Sequence, residues 1–210
     1  MVLFNGDGRD WPGEILPDST DRTCRVRLGE PLENHSESPL RVHLVQGICR
    51  SEKMDWALQK ATELGVVHLW PVMTERTQVR LSGDRARKRT AHWEGVVTSA
   101  CEQSGRARVP RVEPPAALEQ ILEQLPGAGL RVHLDTDRAP ALSEENLASR
   151  VSEGPVVIAV GPEGGLGPSD LRLLESAGFR PARLGPRILR SETAGPAALA
   201  VLQALYGDMA

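Results

Sequence analysis

The sequence predicts an α/β fold with a parallel sheet covered by helices on both faces. Three observations lead there. Short, nearly continuous apolar runs, such as Val156-Val157-Ile158-Ala159-Val160, have the pattern of strands buried on both sides. Between them lie segments with apolar residues at helical spacing, as at Met54, Leu58, Ala61 and Leu64. From about residue 40 onward the two kinds alternate, the order that parallel crossovers impose.

The elements follow in chain order. Residues 1–39 carry short β-like runs at 2–4, 14–16 and 23–28, with Asn5-Gly6-Asp7-Gly8 as turn chemistry between the first two. Three such strands bury little area, so this piece gains its stability from the rest of the chain. Residues 33–39 read as a linker, and the main domain is expected over 40–210. Residues 42–45 form a strand, then a helix ends at Gly65. Residues 66–72 form the next strand. Residues 84–104 form a helix with Trp93, Val96, Val97, Ala100 and Cys101 on one face, stopped by Gly105. A helix at 115–125, a strand at 130–134 and a helix at 143–151 follow. A strand at 156–160, a helix at 168–177, a strand at 179–184 and a helix at 192–206 complete the alternation. No internal repeat and no low-complexity tract interrupts it.

Two glycine-bearing turns stand at strand ends. Gly161-Pro162-Glu163-Gly164-Gly165 follows a buried strand, at the edge where open α/β sheets bind ligands. It is neither a dinucleotide turn nor a Walker loop, since no Gly-Lys-Ser/Thr follows. Glycine brings bare backbone against a ligand because no Cβ holds it off. The plainer reading is a turn before the helix at Pro168. The second turn, Leu184-Gly185, leads into Arg187-Ile188-Leu189-Arg190-Ser191-Glu192-Thr193-Ala194. An arginine held among packed neighbours can stabilise an anion. The competing reading is an ion pair of Arg190 with Glu192 or another acid. Ser191 is placed to cap the last helix, with Pro196 in its first turn. At the end of the long helix, Glu102 either pairs with an arginine or shapes a substrate surface. Ser51-Glu52-Lys53-Met54-Asp55-Trp56 by itself reads as a mixed-charge helix start.

Composition bounds the function. Net charge is −3, which argues against a nucleic-acid partner, but the charges are segregated. Residues 76–111 hold nine Arg/Lys against three acids, residues 178–190 four arginines and no acid, and residues 113–153 eight acids against three arginines. One side can therefore face phosphates while another is acidic, although each cluster alone also fits a solvated helix face. No run is long enough to span a membrane and no signal-peptide pattern stands at the N-terminus. Cys24, Cys49 and Cys101 are far apart and share no metal-ligand spacing with the five histidines, so free thiols in a reducing cytosol and no metal are expected.

Four ordered segments together resemble the 16S ribosomal RNA uridine N3-methyltransferases of the SPOUT superfamily. They are Glu52-Lys53-Met54-Asp55-Trp56 with Gln59-Lys60-Ala61-Thr62-Glu63-Leu64-Gly65, then Ala100-Cys101-Glu102-Gln103-Ser104-Gly105-Arg106, then Gly161-Pro162-Glu163-Gly164-Gly165, and Leu184-Gly185 with Ile188-Leu189-Arg190-Ser191-Glu192-Thr193-Ala194. The match runs from about residue 40 to the C-terminus. The resemblance implies a parallel sheet whose C-terminal part forms a deep trefoil knot, a homodimer with sites at the subunit interface, and S-adenosylmethionine (SAM) as cofactor. It implies methylation of N3 of a uridine in 16S rRNA of the small ribosomal subunit. The implied cofactor residues are Leu134, Asp135, Gly161, Pro162, Glu163, Gly164, Gly165, Leu184, Gly185, Arg187, Ile188 and Leu189. Arg190 matches the arginine near methyl transfer. The base that takes the uracil proton stays open between Glu163, Glu192 and water. Family members begin with a PUA-like β-barrel. Residues 1–8 resemble its middle, so a partial barrel is expected over 1–39, either a shortened member or a start codon placed too late. Methylation of another RNA site, or a non-catalytic RNA-binding role, are the alternatives.

Overall fold

The computed structural model describes residues 1–50, 52–127, 129–135, 139–142 and 147–209. The first part of the expected 143–151 helix and Ser51 lie outside them. Four short strands, β1 (Val2–Leu3), β2 (Arg9–Ile15), β3 (Val26–Leu28) and β4 (Leu32–Glu33), form an antiparallel sheet in which β2 pairs with all three others. Its side chains are mostly exposed or half-buried, as short strands without a second layer must be. The strand expected at 23–28 starts only at Val26, because Thr20 and Thr23 bridge each other in a turn first.

The remaining elements are β5 (Val42–Gly47), α1 (Glu52–Glu63), β6 (Val66–Met73), α2 (Gly83–Ser104), β7 (Arg111–Val112), β8 (Ala116–Ala117), α3 (Leu118–Gln124), β9 (Leu130–Leu134), α4 (Ala148–Glu153), β10 (Val156–Val160), α5 (Pro168–Ser176), β11 (Arg180–Ala182) and α6 (Ser191–Tyr206). The strands make one sheet in the order β11-β9-β10-β5-β6-β7, with β8 also on β6, and every pairing is parallel. Alternation in the strands divides two cores. Val42, Leu44, Leu69, Val156 and Ile158 face α1, α2 and α6. Val45, Trp70, Val72, Val157 and Ala159 face α3 and α5. Burying one such aliphatic side chain contributes about 1.5–3 kcal/mol, so both faces are held mainly by aliphatic packing.

Some expectations change. The helix expected from Pro115 starts only at Leu118, since Ala116 and Ala117 first extend the sheet alongside Val72 and Met73. The strand expected at 179–184 shortens to β11, with Phe179 turned into the second core. Residues 33–39 are not a free linker. Asn34 and Ser36 donate to the Gly105 carbonyl, and Glu37 pairs with Arg106 at 2.7 Å. Arg106 is 3% exposed and also donates to the carbonyls of Thr62 and Val66. The acid that matters at the end of α2 is therefore Glu37, while Glu102 stays on the surface. Ser38 donates to Gln203, whose amide donates to the Leu64 carbonyl, tying this segment to α6.

Candidate active site

The carboxyl ends of β9, β10 and β11 lie side by side in the sheet, and the three segments that leave them meet. Beside β10, at β5, the chain order along the sheet reverses, the position where open parallel sheets form crevices. A cavity of about 500 Å³ opens there. Leu134, Asp135, Gly161, Pro162, Glu163, Gly164, Gly165, Leu184, Gly185, Arg187, Ile188, Leu189 and Arg190 all line it. The residues that the resemblance implies for cofactor binding, and Arg190, thus line one cavity.

Local forces shape each wall. The Gly165 N–H donates to the Pro162 carbonyl at 2.8 Å and closes a turn with Gly165 at φ +72°, a conformation that favours glycine. A Cβ on Gly161 would stand 2.7 Å from the carbonyl carbon of Gly165, so the loop can fold on itself only with glycine there. Arg76 donates to the Gly164 carbonyl at 3.0 Å from outside. The Asp135 N–H donates to the Ala182 carbonyl at 2.9 Å and clamps β9 to β11 beside the cavity.

Ser191 does not cap α6. The cap position is Arg190, whose side chain makes no capping bond, and Ser191 is already helical. Its buried hydroxyl donates instead to the Gly161 carbonyl and accepts from Gln46 at 3.2 Å. The start of α6 is thereby pinned to the β10 loop. Pro196 lies in the helix interior rather than in its first turn. Its missing N–H leaves the Glu192 carbonyl without the usual helical donor. Cys49, buried beside Ser191, has its thiol pushed up to about 11 by burial, so it is an inert packing group.

Charge is concentrated at one end. Lys53 on α1 reaches both Glu163 (3.8 Å) and Glu192 (3.6 Å). Burial acts to raise the Glu163 pKa, but the backbone N–H of Arg50, 3.1 Å away, with Lys53 and Arg50 nearby, brings it below the usual carboxylate range. Arg190 is exposed at the rim and forms no ion pair with a described residue, so the ion-pair reading with Glu192 does not hold. Ile188 is 82% exposed. Sequence reasoning missed Lys53 as a wall residue, and with it Leu166 and Pro186. Lys53 lies in a recognisable segment, but spacing alone does not tell which side of α1 faces a loop more than a hundred residues away.

A family model described as an RNA methyltransferase domain matches residues 36–203. The ribosomal RNA small subunit methyltransferase E of Buchnera aphidicola (Schizaphis graminum) is 30% identical over all of this chain and 83% of its own length. The chain belongs to the ribosomal RNA small subunit methyltransferase E family. A second methyltransferase E, from Mycobacterium tuberculosis, is 33% identical over 92% of this chain and 79% of its own length. The crystal structure of the methyltransferase E from Neisseria gonorrhoeae, bound to S-adenosyl methionine, superposes with a TM-score of 0.91 at 36% identity, covering 100% of this chain and 84% of that one. A Legionella pneumophila protein solved in complex with SAM matches equally well, at TM-score 0.91 and 36% identity over 99% of this chain and 83% of that one.

Proposed function

We propose that the protein transfers a methyl group from SAM to N3 of a uridine in 16S rRNA of the small ribosomal subunit. The observation that carries this is the convergence of three loops on one cavity in a chain of the methyltransferase E family. The cavity suits the cofactor. Its volume lies in the range of small-molecule sites, and Leu134, Leu166, Leu184 and Leu189 supply an apolar wall for an adenine ring. Backbone groups at 161–165 and 184–189 are within its lining for hydrogen bonding, and Asp135 and Glu163 bring negative charge toward a cationic ligand. When bound, SAM supplies an electrophilic methyl group on a positively charged sulfur.

N3 of uracil carries a proton, and removing it spreads negative charge onto the flanking carbonyl oxygens. Arg190, at the rim and without an ion pair among the described residues, is assigned to stabilise that charge, the role of a preorganised donor. The pinning of Ser191 to Gly161 holds Arg190 in register with the cofactor loop. Residues 1–39 are assigned to a PUA-like RNA-gripping domain and residues 40–210 to the catalytic domain, supported by the change from antiparallel to parallel pairing between them. A trefoil knot and a homodimer are part of the same reading. The return of the chain from β11, at the sheet edge, past the β10 loop to α6 supports the first, and exposed Ile188 beside the cavity supports the second. A cytoplasmic site of action fits a chain in which no described helix is long and apolar enough to cross a membrane.

The test is to incubate the protein with SAM and small subunits that lack the modification, digest the rRNA and map the product by mass spectrometry. N3-methyluridine at a single position is the expected result. A methyl on a ribose or another base, or none at all, would overturn the reading.

A further inference from the structure

A second cavity, of about 350 Å³, adjoins the first. It is lined by Glu52, Lys53, Trp56, Glu192 and Thr193. Lys53 and Glu192 line both, so they form the wall between them. Trp56 is 43% exposed and offers an aromatic face, the usual platform for an unstacked base. Glu192 stands out within that wall. Its side chain is 14% exposed, one carboxylate oxygen lies 3.6 Å from Lys53, and the other, Oε2, is buried with no hydrogen-bond partner. A buried acceptor without a donor is costly, and in a cavity wall it points to a ligand that brings one.

From this geometry we infer that the second cavity receives the target uracil and that Glu192 accepts its N3 proton. The inference rests on the methyltransferase reading above. The edge of uracil presents acceptor, donor, acceptor as O2, N3–H and O4. The shared wall offers part of the complement, with Lys53 as donor and Glu192 as acceptor, and Arg190 is a further donor in the lining of the first cavity. Cytosine, which has no N3 proton, would leave the Glu192 oxygen unsatisfied. Glu163 is the weaker candidate for the proton, because one of its oxygens is already held by the Arg50 N–H and its basicity is lowered. The charged groups that line the two cavities with Glu192 are Glu52 and Lys53 from α1, Glu163 from the β10 loop, Asp135 after β9, and Arg187 and Arg190 before α6. In the transfer, the N3 proton passes to the Glu192 carboxylate. The electron pair left on N3 forms the new bond to the methyl carbon, the carbon–sulfur bond of the donor breaks, and its electron pair stays on sulfur as a neutral thioether.

The test uses Glu192→Gln, which keeps the shape and removes the base. SAM affinity by calorimetry should stay within about threefold of wild type, while kcat on small subunits falls by about 10²–10⁴, the span of general-base catalysis. The residual rate should climb about tenfold per pH unit where wild type levels off, since hydroxide then takes the proton. Binding to a short RNA hairpin gives a readout without turnover. Wild type should prefer uridine over cytidine at the target by about tenfold, and Glu192→Gln should erase the preference. Unchanged turnover with an unchanged pH profile overturns the assignment, and so does lost SAM binding, which would make Glu192 a cofactor ligand. If wild type itself forms no N3-methyluridine, the underlying reading fails first. If it does and Glu192→Gln matches it, only this inference fails.

Discussion

Arg190 and Ser191 are neighbours with opposite tasks. Ser191 turns inward and fixes the first turn of α6 to the Gly161 carbonyl, whereas the Arg190 guanidinium, at the mouth of the cavity, has no ion pair among the described residues. Arg190→Ala should therefore leave SAM affinity by calorimetry close to wild type and lower kcat by about 10²–10³, the cost of losing one preorganised donor. Unchanged turnover on small subunits would remove Arg190 from the reaction. The motif of Arg190 could be read from sequence because it is local. The same cannot be said of Ser191. The Ser-x-x spacing before an apolar helix suggests a cap, but the hydroxyl instead serves a loop thirty residues earlier, a choice made by tertiary packing.

At the scale of elements, the site depends on how closely strands and loops pack. Gly47 ends β5 directly under the β10 loop, and a Cβ there would sit 2.4 Å from the nitrogen of Pro162. Neither partner is a flexible side chain, so Gly47→Ala must displace the Gly161 loop. SAM affinity should fall at least about tenfold, a loss of roughly 1.4 kcal/mol, while the core helices keep their far-ultraviolet signature. The segment joining the two sheets makes the other element-scale case. Glu37→Ala would leave the buried Arg106 with only carbonyl partners and should cost about 3–5 kcal/mol in urea unfolding. Helices α1, α2 and α6 and strands β9 and β10 were legible because each has a long period or a continuous apolar run. Strands β4, β7 and β8 were not, since two residues carry no periodicity and exist only by pairing with a longer strand. Likewise, the linker composition of residues 33–39 hid a docked segment, because Asn, Ser and Glu serve equally in solvent or as partners for Gly105 and Arg106.

Across the whole molecule, three histidines lie in the sheet. His43 and His68 are on adjacent strands with ring centroids 5.2 Å apart, and His133 is on β9. Burial lowers the pKa of each, for His43 to about 4, with the charges of His68 and Arg41 adding to it. The unfolded chain binds these protons near pH 6.5, whereas the folded chain resists them, so between pH 6.5 and 4 the unfolded state holds more protons and stability falls as pH falls. His43 alone should contribute about 3 kcal/mol of this loss across the window. His43→Asn should flatten the decline in melting temperature between pH 7 and 5. An equal slope in both proteins would place the acid sensitivity elsewhere. The strand order has its own consequence. β10, which leads into the loop at 161–165, inserts between β5 and β9, although both precede it in the chain. While the protein is being synthesised, two apolar strand edges must wait unpaired until residues 156–160 emerge. Premature termination before that point would leave a cleft in the middle of the sheet, open to the strands of other nascent chains.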